Sequence, residues 1–143
     1  MLGLAACAGP SEPLVVKQFM LRDEQRSSDD EPMVRMEKSR RLRGAVSMEE
    51  RRQRLGQYYT MMWSDPAGVG SGEVRVRFEY RQGATASRVK FMDKTFSADD
   101  AEGVADFAVI GDDYYENGRV LAWQATVTRG GRDIARERSY LWE

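Results

Sequence analysis

Histidine is absent from this chain of 143 residues, and cysteine occurs once. Without histidine, neither a Ser-His-Asp triad nor a Cys-His pair can form, and the usual structural zinc sites are excluded. A single cysteine cannot form an internal disulfide. No stretch approaches the run of about 18 apolar residues that a membrane-spanning helix needs. The length predicts a single domain with a modest core that needs no disulfide.

Opposite charges nearly cancel, since 22 Lys and Arg stand against 23 Asp and Glu. Their distribution is uneven: residues 35–54 hold eight basic and three acidic side chains, and residues 93–116 hold one basic and eight acidic ones. The basic segment suits contact with lipid or nucleic-acid phosphates, or a solvated helix surface that pairs with the acidic loops. The balanced total favours the second interpretation, and we expect no nucleic-acid partner.

The N-terminal segment contains one short motif, Leu4-Ala5-Ala6-Cys7. It resembles the lipobox of bacterial lipoproteins. The resemblance implies cleavage before Cys7, acylation of its thiol, and localisation in the bacterial cell envelope, at the outer membrane or the periplasmic face. Only six residues precede Cys7 and none is basic, so we expect residues 1–13 to be a truncated signal peptide followed by a flexible tether. Several acyl chains would give stable membrane attachment.

Alternation of apolar and polar residues predicts strands in residues 14–143, the single β-rich domain. The clearest strand is 73–82, whose apolar residues occupy every second position. One buried face and one wet face are typical of antiparallel sheets. Further strands are predicted at 14–21, 57–63, 88–96, 106–116, 119–129 and 132–142. In the strand at 88–96, Val89 and Phe91 are expected to point inward.

Capping and turn residues separate these strands. Ser47 and Glu50 form a capping box that begins a short helix, after a weaker helical pattern at 33–43. Asn117-Gly118 and Gly130-Gly131 predict two-residue hairpins.

The positions of the glycines and of the predicted hairpin turns also predict details of strand pairing. Gly111 is a candidate bulge. Counting from the hairpin turns places Tyr114 beside Leu121 and Tyr140, Trp123 beside Arg138, and Val127 opposite Ile134. The alternative is a register shifted by one residue.

These elements predict a mainly β fold, an antiparallel immunoglobulin-like β-sandwich of about seven strands with one or two short N-terminal helices. The alternative is an α+β fold in which the helices pack on one face of an antiparallel sheet.

Aromatic residues provide the candidate interaction surface. Neighbours in a strand point to opposite faces, so one member of each pair Tyr58-Tyr59 and Tyr114-Tyr115 is expected outside the core. Outward rings mark an interface with a protein, or a platform on which sugars stack. The candidate interface residues are Tyr58, Tyr59, Trp63, Tyr114, Tyr115 and Trp142.

The acidic residues form no recognisable catalytic or metal-binding motif. No segment matches a calcium-binding loop, and no nucleophile, base and oxyanion donor converge in the sequence. We therefore expect no enzyme activity, no metal and no cofactor. The sequence predicts a non-catalytic, lipid-anchored envelope protein that acts as a protein-interaction or structural component. The alternative is a glycan-binding module that uses exposed Tyr and Trp.

Overall fold

The computed structural model describes residues 12–22, 30–85 and 87–142, so Cys7 and most of the predicted signal segment and tether lie outside the described residues. The strands of these ranges are β1 Leu14–Leu21, β2 Gly56–Ser64, β3 Val74–Gln82, β4 Lys90–Phe96, β5 Glu102–Ile110, β6 Val120–Arg129 and β7 Arg132–Arg138. The α-helices are α1 Pro32–Leu42, α2 Met48–Arg52 and α3 Gly111–Asn117. None of the helices in these ranges has the length and hydropathy of a membrane-spanning segment.

The strands form two antiparallel sheets. One has the order β1-β2-β5 and the other β4-β3-β6-β7. The chain crosses between the sheets after β2, after β4 and after β5, so strands that follow one another do not always pair. This arrangement confirms the predicted mainly β sandwich of about seven strands with short N-terminal helices.

Side chains from both sheets fill the space between them. The buried apolar residues of β3 are Val74, Val76, Phe78 and Tyr80. The Phe78 ring centroid lies 4.5 Å from that of Tyr59 and 5.7 Å from that of Phe107, both in the opposite sheet. Because aromatic pairs at this separation attract one another, these contacts join the two sheets.

The two N-terminal helices form where the sequence predicted them. Helix α1 begins at Pro32, whose missing N–H is tolerated in a first turn. Helix α2 begins with the predicted capping box: the Glu50 backbone N–H donates to Ser47 Oγ at 3.1 Å, and the Ser47 N–H donates to Glu50 Oε2 at 3.4 Å. The Arg41 guanidinium lies 4.5 Å from the Tyr58 ring centroid, so α1 packs on the outer face of the β1-β2-β5 sheet.

A helix replaces part of the strand predicted at 106–116, and that prediction was wrong beyond Ile110. Strand β5 pairs with β2 and ends at Ile110, where Gly111 takes a positive φ of 62°. Helix α3 then carries the chain across to β6 in the other sheet. Asn117-Gly118 therefore does not join a hairpin, and Gly111 begins a helix instead of forming a bulge.

Strand β4 faces the opposite way from the prediction. Phe91 and Val89 are exposed, while Met92 and Phe96 pack against the core. The reason is the pairing with β3, which sets Met92 opposite the buried Phe78. Residues directly opposite each other in a sheet share a face, so the even-numbered residues of β4 point inward.

The hairpin at Gly130-Gly131 is confirmed, but its predicted register is wrong by one residue. Both glycines have positive φ, 57° and 81°. An irregularity after Val127 sets this residue opposite Ala135 in place of Ile134 and sets Gln124 opposite Arg138. A bulge inserts one extra residue into one strand, and counting from the turn alone cannot detect it.

A buried arginine fastens one end of the sandwich. Arg129 is fully buried, and its Nε donates to Asp65 Oδ2 at 2.8 Å. Its terminal nitrogens donate to the backbone carbonyl oxygens of Asp65, Gly72, Ala98 and Asp100. These acceptors belong to the β2–β3 and β4–β5 connections, which both cross between the sheets. Arg129 therefore holds the two sheets together at this end.

Candidate interaction surface

The outer face of the β4-β3-β6-β7 sheet is open to solvent along much of its area. Alternation in β3 creates this surface. Because every second residue of β3 enters the core, the intervening residues project outward. The outward residues of β3 are Arg75, Arg77, Glu79 and Arg81.

Pairing between strands brings further charged residues beside those of β3. Arg77 lies opposite Asp93 on β4 and opposite Thr126 on β6, and Thr126 lies opposite Arg136 on β7. We call this surface the arginine face and define it by Arg75, Arg77, Arg81, Arg136 and Arg138 together with Glu79, Asp93 and Asp133. Five arginines against three carboxylates give it a positive balance.

Arg77 is the most firmly held arginine of this face. Its Nε and Nη2 donate to the two carboxylate oxygens of Asp93 at 2.8 and 2.9 Å. The side-chain hydrogen bonds from Arg77 lower the pKa of Asp93 below its usual value. The guanidinium carbon also lies 4.4 Å from the centroid of the exposed Phe91 ring. A planar guanidinium makes both contacts at once.

The other arginines differ in their partners. Arg81 lies 4.9 Å over the Trp142 ring and donates to the Leu141 carbonyl oxygen at 3.2 Å, while Arg136 contacts Asp133 at 3.2 Å. Arg75 and Arg138 are exposed and form no hydrogen-bonded ion pair with any residue that the structure describes, although the charge of Arg75 adds to the hydrogen bonds from Arg77 in lowering the pKa of Asp93. These two side chains are therefore the most available for a partner.

A groove of about 430 Å³ borders the arginine face at Arg138. It lies between the free edges of β1 and β7, because these strands end their respective sheets. Leu14, Val16 and Trp123 contribute to its lining, and the fully accessible Tyr140 stands beside it.

Three of the predicted interface residues are buried. Tyr59 and Trp63 lie in the core between the sheets, where burial raises the pKa of Tyr59 to about 12. Tyr58 points to the outer face, as alternation predicted, but it is only 6% exposed. Its hydroxyl donates to the Arg54 carbonyl oxygen at 2.5 Å, and α1 covers it. These residues do not contribute to an exposed surface.

The other three predicted residues lie nearer the surface: Tyr114 and Tyr115 contact each other, and Trp142 contacts Arg81. Tyr115 is exposed and packs edge-on against Tyr114, at 70° and 5.7 Å between centroids. The Arg52 guanidinium lies 5.1 Å over the Tyr115 ring. Trp142 is half-buried beneath Arg81. The rings therefore do not form a coplanar row.

The acidic segment contributes a structural cluster around Asp113. Its Oδ1 accepts from Lys90 Nζ at 2.8 Å and from Asn117 Nδ2 at 2.9 Å, and its Oδ2 accepts from the Tyr80 hydroxyl at 3.1 Å. Burial acts to raise the pKa of Asp113, but these hydrogen bonds outweigh it and lower the pKa. Within the described ranges, no group of three or more His, Cys, Asp or Glu side chains is placed to hold a metal ion. The cluster joins α3 to the edge of the sheet.

Sequence reasoning missed the arginine face, although its signal was present in the alternating arginines of β3. The sequence does not give the register of β3 with β4 and β6, or of β6 with β7. Only this register places Asp93 and Arg136 in the same row as Arg77. Comparison with protein-family models, curated proteins and solved structures finds no match to this chain.

Proposed function

We propose that this protein is a non-catalytic, lipid-anchored component of the bacterial cell envelope that binds another protein through its arginine face. The observation that carries the proposal is an open β-sheet face with five arginines, of which Arg75 and Arg138 are exposed and form no hydrogen-bonded ion pair with the residues described. Arginine and aromatic side chains are enriched at protein interfaces. A carboxylate-bearing partner would receive bidentate hydrogen bonds from such guanidinium groups.

Cys7 supports the attachment part of the proposal. Small residues precede it, and Ala8-Gly9-Pro10-Ser11-Glu12-Pro13 separate it from β1. A segment of this composition suits a tether between a membrane and a folded domain.

Three partly covered surface rings favour a protein partner over a glycan, although the ring of Tyr140 is fully accessible. Sugar stacking requires open ring faces, whereas guanidinium groups lie over one face of Phe91, Trp142 and Tyr115. A stacked guanidinium can still hydrogen-bond a carboxylate, as Arg77 does with Asp93, so such groups are suited to acidic side chains.

Fatty-acid labelling in cells tests the anchor. We expect the wild-type chain to incorporate the label and Cys7→Ala to lose both label and membrane association, because the thiol is the attachment point. The matched control Ser11→Ala should keep both. Mature protein free in the cytosol with residues 1–6 intact would contradict the anchor.

Site-specific photo-crosslinking in cells tests the partner. A photoreactive residue in place of Arg75 or Arg138 should yield the same discrete protein adduct, identified by mass spectrometry. The exposed Arg88, which lies in the β3–β4 connection, is the control position and should yield no such adduct. Equal adducts at all three positions, or none at any, would count against the arginine face. Retention on immobilised glycans that Tyr115→Ala abolishes would support the alternative, a glycan-binding module.

A further inference from the structure

Helix α1 has an inverted distribution of polarity. Met33 and Met36 are 80% and 71% exposed, whereas Lys38 is 8% exposed, and the side chain of Arg41 is 11% exposed. A helix at the surface of a globular domain usually buries its apolar side chains and exposes its charges. Here both methionines of α1 point away from the domain, while Val34 and Leu42 are half-buried on its inner side beside Lys38 and Arg41.

The cations on the inner side of α1 have partners in the domain. Lys38 Nζ forms an ion pair with Asp30 at 2.7 Å. Arg41 lies over the Tyr58 ring and contacts Glu37 and Asp106 at 3.6 and 3.7 Å. Of these contacts, those of Arg41 with Tyr58 and Asp106 reach the sheet and hold this side of α1 against it. The outward position of its methionines therefore follows from how the helix is held.

The outer side of α1 combines methionines with arginines. Residues three, four and seven apart share one side of a helix, so Met33, Met36, Arg40 and Arg43 follow one another along it, and all four are exposed. Beyond the helix, Val46 and Met48 are 85% and 75% exposed. We call this surface the methionine face and define it by Met33, Met36, Val46, Met48, Arg35, Arg40 and Arg43.

We propose that the methionine face docks on the surface of a membrane that contains anionic phospholipids. Exposed apolar side chains flanked by basic ones are the pattern by which a helix lies in the interface of a bilayer. Methionine is unbranched and flexible, so it adapts to irregular surroundings. The methionine face carries three exposed arginines, Arg35, Arg40 and Arg43, of which Arg40 also contacts Glu37 and Asp106 at 3.4 and 3.7 Å. Basic side chains at such a surface are attracted to anionic headgroups.

The geometry of the sandwich is compatible with docking through the methionine face. Helix α1 covers the outer face of one sheet, and the arginine face is the outer face of the other. A domain docked through the methionine face would therefore present the arginine face away from the bilayer. The seven residues from Cys7 to Pro13 span at most about 25 Å when extended, which would keep the domain close to the membrane. In this respect the inference rests on the proposed anchor, but docking itself does not require acylation.

Vesicle flotation of the full chain carrying Cys7→Ala tests docking without the acyl chains. We expect this protein to float with vesicles of phosphatidylglycerol and phosphatidylethanolamine and not with phosphatidylcholine vesicles. Binding should weaken as salt rises, since exposed charges are screened. Adding Met33→Ser and Met36→Ser should reduce the bound fraction by about tenfold or more, because two apolar side chains no longer enter the interface.

A matched control distinguishes docking through the methionine face from nonspecific binding by exposed apolar side chains. Phe91→Ser and Val104→Ser remove two exposed apolar side chains that lie outside the methionine face, and this variant should bind vesicles like its parent. Thermal unfolding of all variants verifies that they are folded, which the exposure of the substituted residues leads us to expect.

Three results would overturn the proposal: no binding to anionic vesicles, equal binding to both vesicle types, or unchanged binding in the methionine variant. Binding of a labelled oligonucleotide without vesicle binding would identify a nucleic-acid surface instead. Vesicle binding of Cys7→Ala in a protein that incorporates no fatty acid in cells would support docking while refuting the anchor. Fatty-acid incorporation in cells without vesicle binding of Cys7→Ala would refute docking and leave the anchor standing.

Discussion

The two outer faces of the sandwich begin from similar sequence patterns and end in different environments. On β2, Tyr58 alternates with core residues and points outward, yet it is buried because α1 covers it. On β3, Arg77 also alternates with core residues, and it remains at the surface beside Phe91. Alternation therefore predicts which residues leave the core, but only the packing of other elements decides whether they reach solvent.

The two faces also place their cations differently. Under α1, Arg41 points inward and contacts the Tyr58 ring, while Met33 and Met36 point to solvent. On the arginine face, the guanidinium groups point outward, and those of Arg77 and Arg81 lie over the Phe91 and Trp142 rings. An apolar, basic surface on one side and an arginine-rich polar surface on the other are suited to partners of different chemistry.

The largest expected effect on stability comes from substituting Arg129, which holds the two sheets together at one end. Arg129→Leu should lower the free energy of unfolding by about 3 to 5 kcal/mol, because it leaves Asp65 without its partner and several carbonyl groups without donors. Urea denaturation measures the loss. Arg132→Leu, exposed in the adjoining hairpin, should cost no more than about 0.5 kcal/mol. Similar losses in the two variants would mean that Arg129 does not fasten the sheets.

A matched pair of aromatic substitutions compares the covered and open faces directly. Tyr58→Ala should destabilise the protein by about 3 kcal/mol, since it opens a cavity beneath α1. Phe91→Ala removes a ring that is already exposed, and about 0.5 kcal/mol is expected. Chemical denaturation of both variants checks the difference. Equal effects would contradict the distinction between the faces.

A smaller effect is expected at the cap of α2, on the covered side. Ser47→Ala removes the acceptor for the Glu50 N–H and should cost about 1 kcal/mol. Hydrogen exchange should become faster for the amides of α2 and stay unchanged in β3, because the cap acts locally. Ser87→Ala, an exposed serine in a turn, is the control. Faster exchange throughout β3 would show that α2 supports the whole sandwich.

The smallest effect is expected for the ion pair on the open face. A double-mutant cycle of Arg77→Ala and Asp93→Ala should give a coupling of about 0.5 kcal/mol at neutral pH, since the pair is solvent-exposed. The pKa of Asp93 is lowered in the folded state. Its contribution is therefore present above the usual aspartate pKa and lost as the pH falls through the lowered one. A coupling that persists in strong acid would refute this assignment.

Local patterns predicted the elements whose formation depends on neighbouring residues. Ser47 and Glu50 form the expected cap, and Gly130-Gly131 forms the expected hairpin. The inward face of β4 could not be predicted, because Phe91 and Met92 are comparably apolar and only pairing with β3 chooses between them. The helix at Gly111 was missed because it depends on the change of sheet between β5 and β6.

The candidate surfaces depend still more on distant contacts. Alternation predicted that the arginines of β3 point outward. Their position beside Asp93 and Arg136 depends on how β3 pairs with β4 and β6, and β6 with β7. The methionines of α1 were visible only as a weak helical pattern. Their exposure follows from the contacts that Arg41, on the other side of the helix, makes with Tyr58 and Asp106 of the sheet.

By itself, the sequence determined the absence of histidine chemistry, the seven-stranded β character and the positions of the best caps and turns. These properties depend on composition or on residues a few positions apart. The tertiary structure decided which sheet each strand joins, which outer face is covered and which arginines are held by partners. Such choices depend on contacts between residues far apart in the chain, and a local pattern is compatible with more than one of them.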